Sequence, residues 1–382
     1  MTTGKITIKT GPPVEGDDFY GREKELQYAW YYHISKGTSL LLSAPRRVGK
    51  SSFAKKMLYL AEANGWKTMY LDLQGIYAES EFVKLIKKEL IPSKWWNEAG
   101  EAFLKLLESI KLNVGNIDSN VWRNNTYAKI KQLIEKEDKM LIVIDELTIY
   151  LNHLLAQEKG KEKVEFFLEW LRNIRQTTKV RWIFCSSVGI ENFTAMHQLS
   201  KHLNDLHSFL IDAFTELEAK DFITRLKVDE KTQFSEDNIQ YILNKLVWYL
   251  PFFIQIIVEE INHIIVTDNQ QLSNDTIDKA YNHLVSDSHF NTWDERLKEY
   301  GDLEDNAREM LKQCASSEGV SRDGFLAILT SKEGDLEIRK LETVVSKLLK
   351  MLQNDGYIIA NNGNYIFRSP ILRDFWHRRF IL

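Results

Sequence analysis

At 382 residues, 44% of them apolar, the chain exceeds what one hydrophobic core ordinarily organises and predicts two or three domains. A net charge of -4 supplies no global attraction to nucleic acid, and two cysteines far apart in sequence, Cys185 and Cys314, exclude a disulfide framework or a zinc knuckle. Met1 to Thr10 lacks the apolar core of a signal peptide, and no stretch reaches the roughly 18 uncharged apolar residues of a membrane span. The expectation is a soluble, cytoplasmic protein with no membrane partner.

The first half alternates short apolar runs rich in β-formers with segments of helical period, the pattern of a parallel sheet flanked by helices. Strands are expected at Ser39–Ser43, Thr68–Asp72, Met140–Asp145, Arg181–Ser186 and Ser208–Ile211, with helices between them. The tryptophan pair Trp95 and Trp96 reads as core or interface aromatics. After Phe214 the β signal disappears. Amphipathic helices follow over Glu216–Leu226, Ser235–Tyr249, Phe252–Ile265, Asn274–Val285 and Leu303–Cys314. From Ser321 come a short helix near Phe325, a longer one over Leu336–Asn354, and two short strands, Tyr357–Ala360 and Tyr365–Arg368, joined by Asn361-Asn362-Gly363-Asn364. Helices followed by a turn-linked hairpin predict a winged helix. The domain boundaries expected are 1–213, 214–318 and 319–382.

The segment Leu40-Leu41-Leu42-Ser43-Ala44-Pro45-Arg46-Arg47-Val48-Gly49-Lys50-Ser51-Ser52 runs strand, loop, Gly-Lys-Ser, helix. Phosphate capture needs that order: loop and helix N–H groups wrap the phosphates, Lys50 neutralises β and γ oxygens, and the Ser51 hydroxyl ligates Mg²⁺. Gly49 lets the backbone approach closely, while Ala44 stands where the usual pattern has its first glycine. Arg46 and Arg47 either contact phosphates or pair with an acidic neighbour.

Met140-Leu141-Ile142-Val143-Ile144-Asp145-Glu146 is a continuous apolar run ending in two carboxylates, as a buried central strand presenting acids at its C-terminal edge would be. Asp145 is placed to hold Mg²⁺ and Glu146 to orient or deprotonate the attacking water. The run Trp182-Ile183-Phe184-Cys185 ends at Ser186 and Ser187, and a polar group there can sense the γ-phosphate. Ser187 is the first choice for that sensor and Ser186 the second. The expected cofactors are ATP and Mg²⁺.

These residues together resemble the AAA+ and STAND ATPases, closest to the archaeal-type clade whose loop reads Gly-x-Arg-Arg-x-Gly-Lys-Ser or -Thr. The resemblance implies an α/β fold: an AAA+ P-loop NTPase with a three-layer parallel sheet, then a helical lid and a winged helix. Phe19-Tyr20-Gly21-Arg22, ahead of an amphipathic helix, looks like the family's Gly-Arg-Glu opening segment and implies a base pocket at these four residues. Phe214-Thr215-Glu216 resembles the start of the lid. Leu250-Pro251-Phe252-Phe253 resembles its Gly-x-Pro segment, which brings Pro251 into the nucleotide set. Two departures qualify the match. Phe252 and Phe253 stand where many AAA+ proteins carry a phosphate-sensing arginine, and no arginine finger is evident, with Arg172, Arg175 and Arg181 the remaining candidates. Without a finger the transition state loses a stabilisation worth about a thousandfold or more. A slow switch that controls a separate effector or partner protein fits better than a motor, and a closed ring is not favoured. For this clade the resemblance implies roles in phage defence or mobile elements.

The alternative is a DNA-bound assembly, initiator or transposition-regulating ATPase. Ser321–Leu382 carries ten Lys or Arg against seven Asp or Glu. Arg339, Lys340, Lys347 and Lys350 decorate its long helix, and Arg368, Arg373, Arg378 and Arg379 lie on the wing and the terminal helix, where they could contact DNA phosphates.

Overall fold

The computed structural model describes residues 4–90, 119–186, 190–286, 288–332 and 337–382. Trp95, Trp96 and Ser187 lie outside the described residues. The chain forms two compact units. One comprises Arg22–Ser43 and Lys50–Ile211, the other Met1–Gly21, Ala44–Gly49 and Asp212–Leu382.

In the first unit, α1 (Glu23–Tyr28) leads to β1 (Leu40–Ser43), α2 (Lys50–Ala63), β2 (Lys67–Asp72), α3 (Glu79–Leu90), α4 (Ser119–Ile134), β3 (Met140–Asp145), α5 (Leu147–Leu155), α6 (Gly160–Thr177), β4 (Arg181–Cys185), α7 (Ile190–Met196) and β5 (His207–Leu210). All five strands are parallel, in the order β2-β3-β4-β1-β5. Alternation along each strand sends side chains to two faces. Leu41, Met69, Leu71, Ile142, Ile144, Trp182 and Phe184 join one core with Phe82, Tyr127, Tyr150, Phe167 and Trp170 from α3 to α6. The intervening residues Leu40, Leu42, Leu141, Val143 and Ile183 are equally buried, and α2 packs along β2, β3 and β4. Burial on both faces explains why β3 reads as an unbroken apolar run instead of an alternating one.

The second unit is helical up to Ser316: α8 (Glu216–Arg225), α9 (Glu236–Leu246), α10 (Pro251–Thr267), α11 (Asn274–Ser286), the short α12 (Asn291–Arg296) and α13 (Glu304–Ser316). Thr215 and Glu218 close a capping box at the start of α8. α9 stops at Leu246, three residues before the expected end, because Val247 takes φ 59°, a left-handed value costly for a β-branched residue. Then come β6 (Val320–Ser321), α14 (Arg322–Lys332), α15 (Ile338–Asn354), the hairpin β7 (Ile358–Asn361) and β8 (Asn364–Phe367), and α16 (Pro370–Phe380). The three short strands form an antiparallel sheet in the order β6-β8-β7. Asn362 and Gly363 both take positive φ at the hairpin tip, as a two-residue turn demands. No helix among the described residues is long and apolar enough to cross a membrane.

Candidate functional site

Strand register decides which chain ends stand side by side. Leu42 pairs with Cys185, Ile144 with Phe184, and Asp72 with Asp145, so β1, β3 and β4 finish level at one edge of the sheet. From that edge emerge the loop after Ser43, the pair Asp145-Glu146, and Ser186. β4 lies between β1 and β3, as a sensor strand should.

The loop runs from Ala44 to Gly49 and α2 begins at Lys50. Gly49 has φ +96°, and a Cβ there would meet nothing within 4 Å, so glycine is required for its backbone conformation and not for room. Arg47, at φ 66°, also lies in the left-handed region. Lys50 and Ser52 are buried, Ser51 is half-buried, and the Lys50 side chain is only 8% exposed although it opens a helix.

Asp145 is 4% exposed. The Tyr70 hydroxyl donates to its Oδ2 at 2.6 Å, and the backbone N–H of Glu146 donates to its Oδ1 at 2.9 Å. Both oxygens are thereby oriented with lone pairs to spare. Burial and the neighbouring Asp145 carboxylate push the Tyr70 hydroxyl far above its ordinary range, so it remains a donor. Glu146 sits at φ 54°, ψ 38°, a left-handed conformation that costs a non-glycine residue about 1 kcal/mol or more and is often found where a side chain must be aimed. Fully enclosed beside them, the Cys185 thiol is raised by burial, then by Asp145, with Lys50 opposing and Glu146 adding to the rise. Lys50, Asp145 and Glu146 therefore act on one buried point. The Ser186 hydroxyl is hydrogen-bonded to that of Thr148 on α5.

Tyr70 is a contributor that sequence reasoning missed. Its only signal is its place on β2, two residues before the strand end, next to the acidic strand. On the expectation that Asp145 holds Mg²⁺ beside a nucleotide, Tyr70→Phe should keep the fold and raise the Mg²⁺ concentration needed for half-maximal nucleotide binding by roughly tenfold, the usual range for losing a partner of a metal ligand. A magnesium titration at fixed nucleotide checks it; an unchanged midpoint would show that Asp145 needs no such brace.

In the second unit the same loop is held from three sides. A Cβ on Gly356, itself at φ +82°, would lie 2.6 Å from the Trp248 ring and 3.0 Å from Pro45, so Pro45 packs where Gly356 leaves space. The Arg46 guanidinium donates to the Thr292 carbonyl at 3.0 Å. Arg47 lies over the Phe252 ring at 4.4 Å and reaches the Thr10 carbonyl at 3.5 Å. The partners of the pair in this structure include two backbone carbonyls and an aromatic ring. Pro251 opens α10 at its first position, where its missing N–H costs nothing.

The four residues expected at the base pocket divide. Phe19 is buried, while Tyr20 donates to Asp221 at 2.6 Å and packs against Phe214 and Phe222, with ring centroids 5.5 and 5.0 Å away. Gly21 has φ +67°, with Phe214 3.9 Å from where a Cβ would stand. Arg22 is 5% exposed and precedes α1 in a left-handed conformation. Among the finger candidates, Arg175 makes a two-pronged pair with Asp205 at 2.8 Å and donates to the His202 carbonyl, and Arg181 donates to the Thr178 and Val180 carbonyls. Both serve their own unit.

No protein-family model matches the sequence, and no curated protein matches it. Solved structures do. A Walker-type ATPase of Pyrococcus abyssi aligns over 97% of this chain and 99% of its own, with TM-score 0.62 and 17% identity. The ORC2 protein of Aeropyrum pernix, solved in ADPNP and ADP complexes, aligns over 95% of this chain and 96% of its own, with TM-score 0.56 and 10% identity. The chain has the AAA+ P-loop fold. In this AAA+ fold Lys50, Ser51, Asp145, Glu146 and Ser186 belong to the unit built on the parallel sheet, whereas Ala44–Gly49 packs with the unit that carries α8 to α16. The whole chain, including its helical C-terminal part, takes part in the likeness.

Proposed function

We propose that the protein binds ATP with Mg²⁺ and hydrolyses it slowly as a switch that acts on a separate partner protein. The observation that carries this is the strand register, which brings the ends of β1 and of β3, with its acids Asp145 and Glu146, to one sheet edge, while Gly49 and Lys50 lead from β1 into α2. Lys50 neutralises the β and γ phosphates, and the N–H groups of the loop and α2 wrap them. Ser51 and Asp145 offer hard oxygen donors for Mg²⁺. One hydroxyl and one carboxylate, completed by phosphate oxygens and water, suit an ion that keeps several waters and rarely takes an all-protein cage. Glu146 orients and deprotonates the attacking water. Ser187 is the first choice for the γ-phosphate sensor and Ser186 the second. Phe19 to Arg22 and Pro251 line the base.

Domains are proposed at 1–213, 214–318 and 319–382. Slow turnover is supported by the engagement of Arg175 and Arg181, two of the three finger candidates, within their own unit. A monomer, dimer or partner-bound complex is favoured over a closed ring. Calorimetric titration with Mg-ATP tests the reading, and absence of binding at millimolar nucleotide would remove it.

A second reading rests on the last 60 or so residues, whose helix pair and hairpin suit a winged helix on DNA. Arg339, Lys340, Lys347 and Lys350 of α15 are all exposed. Arg368, in contrast, pairs with Asp212 at 3.1 Å and lies over Trp248, Arg373 pairs with Asp374, and Arg379 is held by Asn291 and Asp294. The DNA case rests on α15 and on Arg378 of α16, which is exposed as well. Its signature is duplex affinity that falls steeply with salt and loses slope when Lys347 and Lys350 are replaced.

A further inference from the structure

The three loop residues Pro45, Arg46 and Arg47 meet three different parts of the second unit, and Arg46 meets the one that gathers the most other groups. α12 is only six residues long, yet it takes polar partners from several other elements. The Thr292 carbonyl accepts from Arg46 at 3.0 Å, and the Trp293 carbonyl accepts from the Tyr357 hydroxyl at 2.6 Å. The Asp294 carboxylate takes Arg308 and, at 3.4 Å, Arg379, while its carbonyl also accepts from Arg308 at 3.1 Å. Asn291 accepts from Arg379. The Arg296 guanidinium stands 3.7 Å from Asp355, and the Tyr300 hydroxyl donates to the same carboxylate at 2.6 Å. Trp293 is fully buried against Trp248, Phe253 and Tyr357. One short helix thus ties α10, α13, the end of α15 and α16 to a residue of the phosphate loop.

Ties of this density have a mechanical consequence. Arg46 and Arg47 are adjacent cations, and Arg47 is held below its usual range first by burial and then by the charge of Arg46. A phosphate drawn into the loop attracts both guanidinium groups, and the Arg46 bond to a neutral carbonyl is weaker than one to an anion. Moving Arg46 toward phosphate releases the Thr292 carbonyl. By linkage, anything that shifts α12 must change phosphate affinity by the same factor.

Resting on the ATPase reading above, we infer that Arg46 and α12 form a positioning element, through which the packing of the C-terminal helices sets the affinity of the phosphate loop. Asp294, the main anchor of α12, then controls nucleotide binding without belonging to the nucleotide site. Neighbouring residues that merely stabilise the fold would not do so.

A double-mutant cycle on the full chain reads the coupling directly. Wild type, Arg46→Ala, Asp294→Asn and the double variant are titrated with Mg-ADP, which avoids turnover. Each single change is expected to shift Kd by roughly three- to tenfold, and the double variant to depart from the product of the two by at least about threefold, within the range usual for coupled residues. If Arg46→Ala fails to fold, Arg46→Lys keeps the charge and loses the planar fork; Arg379→Gln loosens α12 in place of Asp294→Asn. Single effects that multiply within about twofold, or an Asp294→Asn variant with wild-type Kd and only a lower melting temperature, would overturn the coupling while leaving ATP binding intact. Wild type that binds no nucleotide would instead remove the ATPase reading and this inference together.

Discussion

Lys50→Ala is expected to weaken Mg-ATP binding by about two orders of magnitude or more, with the fold intact. Lys50 is 8% exposed at the first position of α2, so its ammonium is already largely withdrawn from water. A charge-assisted bond made at so sheltered a position is screened less by water than one at the surface. Charge-assisted bonds of this kind contribute about 1.5–3 kcal/mol each, and Lys50 is placed to make two, one to each terminal phosphate. Losing roughly 3 kcal/mol corresponds to about a hundredfold in Kd. Alanine is a good helix former, so α2 should not suffer. Calorimetry with Mg-ATP, beside a denaturation curve for each protein, separates the two effects. Wild-type affinity in the variant would mean that nucleotide, if bound at all, is held elsewhere.

The parts of this site that could be read in the sequence share one property: their chemistry lies within a few consecutive residues. Gly-Lys-Ser after an apolar strand carries its own geometry, because strand, turn and helix start must follow in that order. Met140–Asp145 was legible because a strand buried on both faces is apolar throughout, and the two acids mark its end. The strand register sets β4 between β1 and β3. What stayed hidden depends on residues far apart in sequence. Tyr70 reaches Asp145 across 75 positions, and Arg46 reaches Thr292 across 246. Nothing in Arg46-Arg47 alone could reveal a backbone carbonyl as the partner, since any anion or acceptor would satisfy the same local pattern. α12 was also missed. Six residues with one apolar side chain, Trp293, give no period to detect, and the helix is held by tertiary hydrogen bonds that its own sequence does not announce.

Glu146→Gln tests the chemistry separately from the binding, and its expected outcome is a protein that keeps ATP and loses turnover. Glutamine has nearly the same shape and can occupy the same left-handed position, so the N–H that donates to Asp145 Oδ1 at 2.9 Å stays in place. Lys50, Ser51 and Asp145 are untouched, which leaves phosphate and Mg²⁺ capture as before. The amide can still accept a bond from water but cannot take its proton. General-base contributions are typically about 100- to 10,000-fold, so the single-turnover rate should fall within that range while Kd for Mg-ATP changes by less than about threefold. If switching depends on the intact triphosphate, the variant should also hold its ATP-bound arrangement after wild type has relaxed, visible as lasting protection from proteolysis. A variant that hydrolyses ATP at the wild-type rate would take the base role away from Glu146 and give it to another acceptor at the same sheet edge.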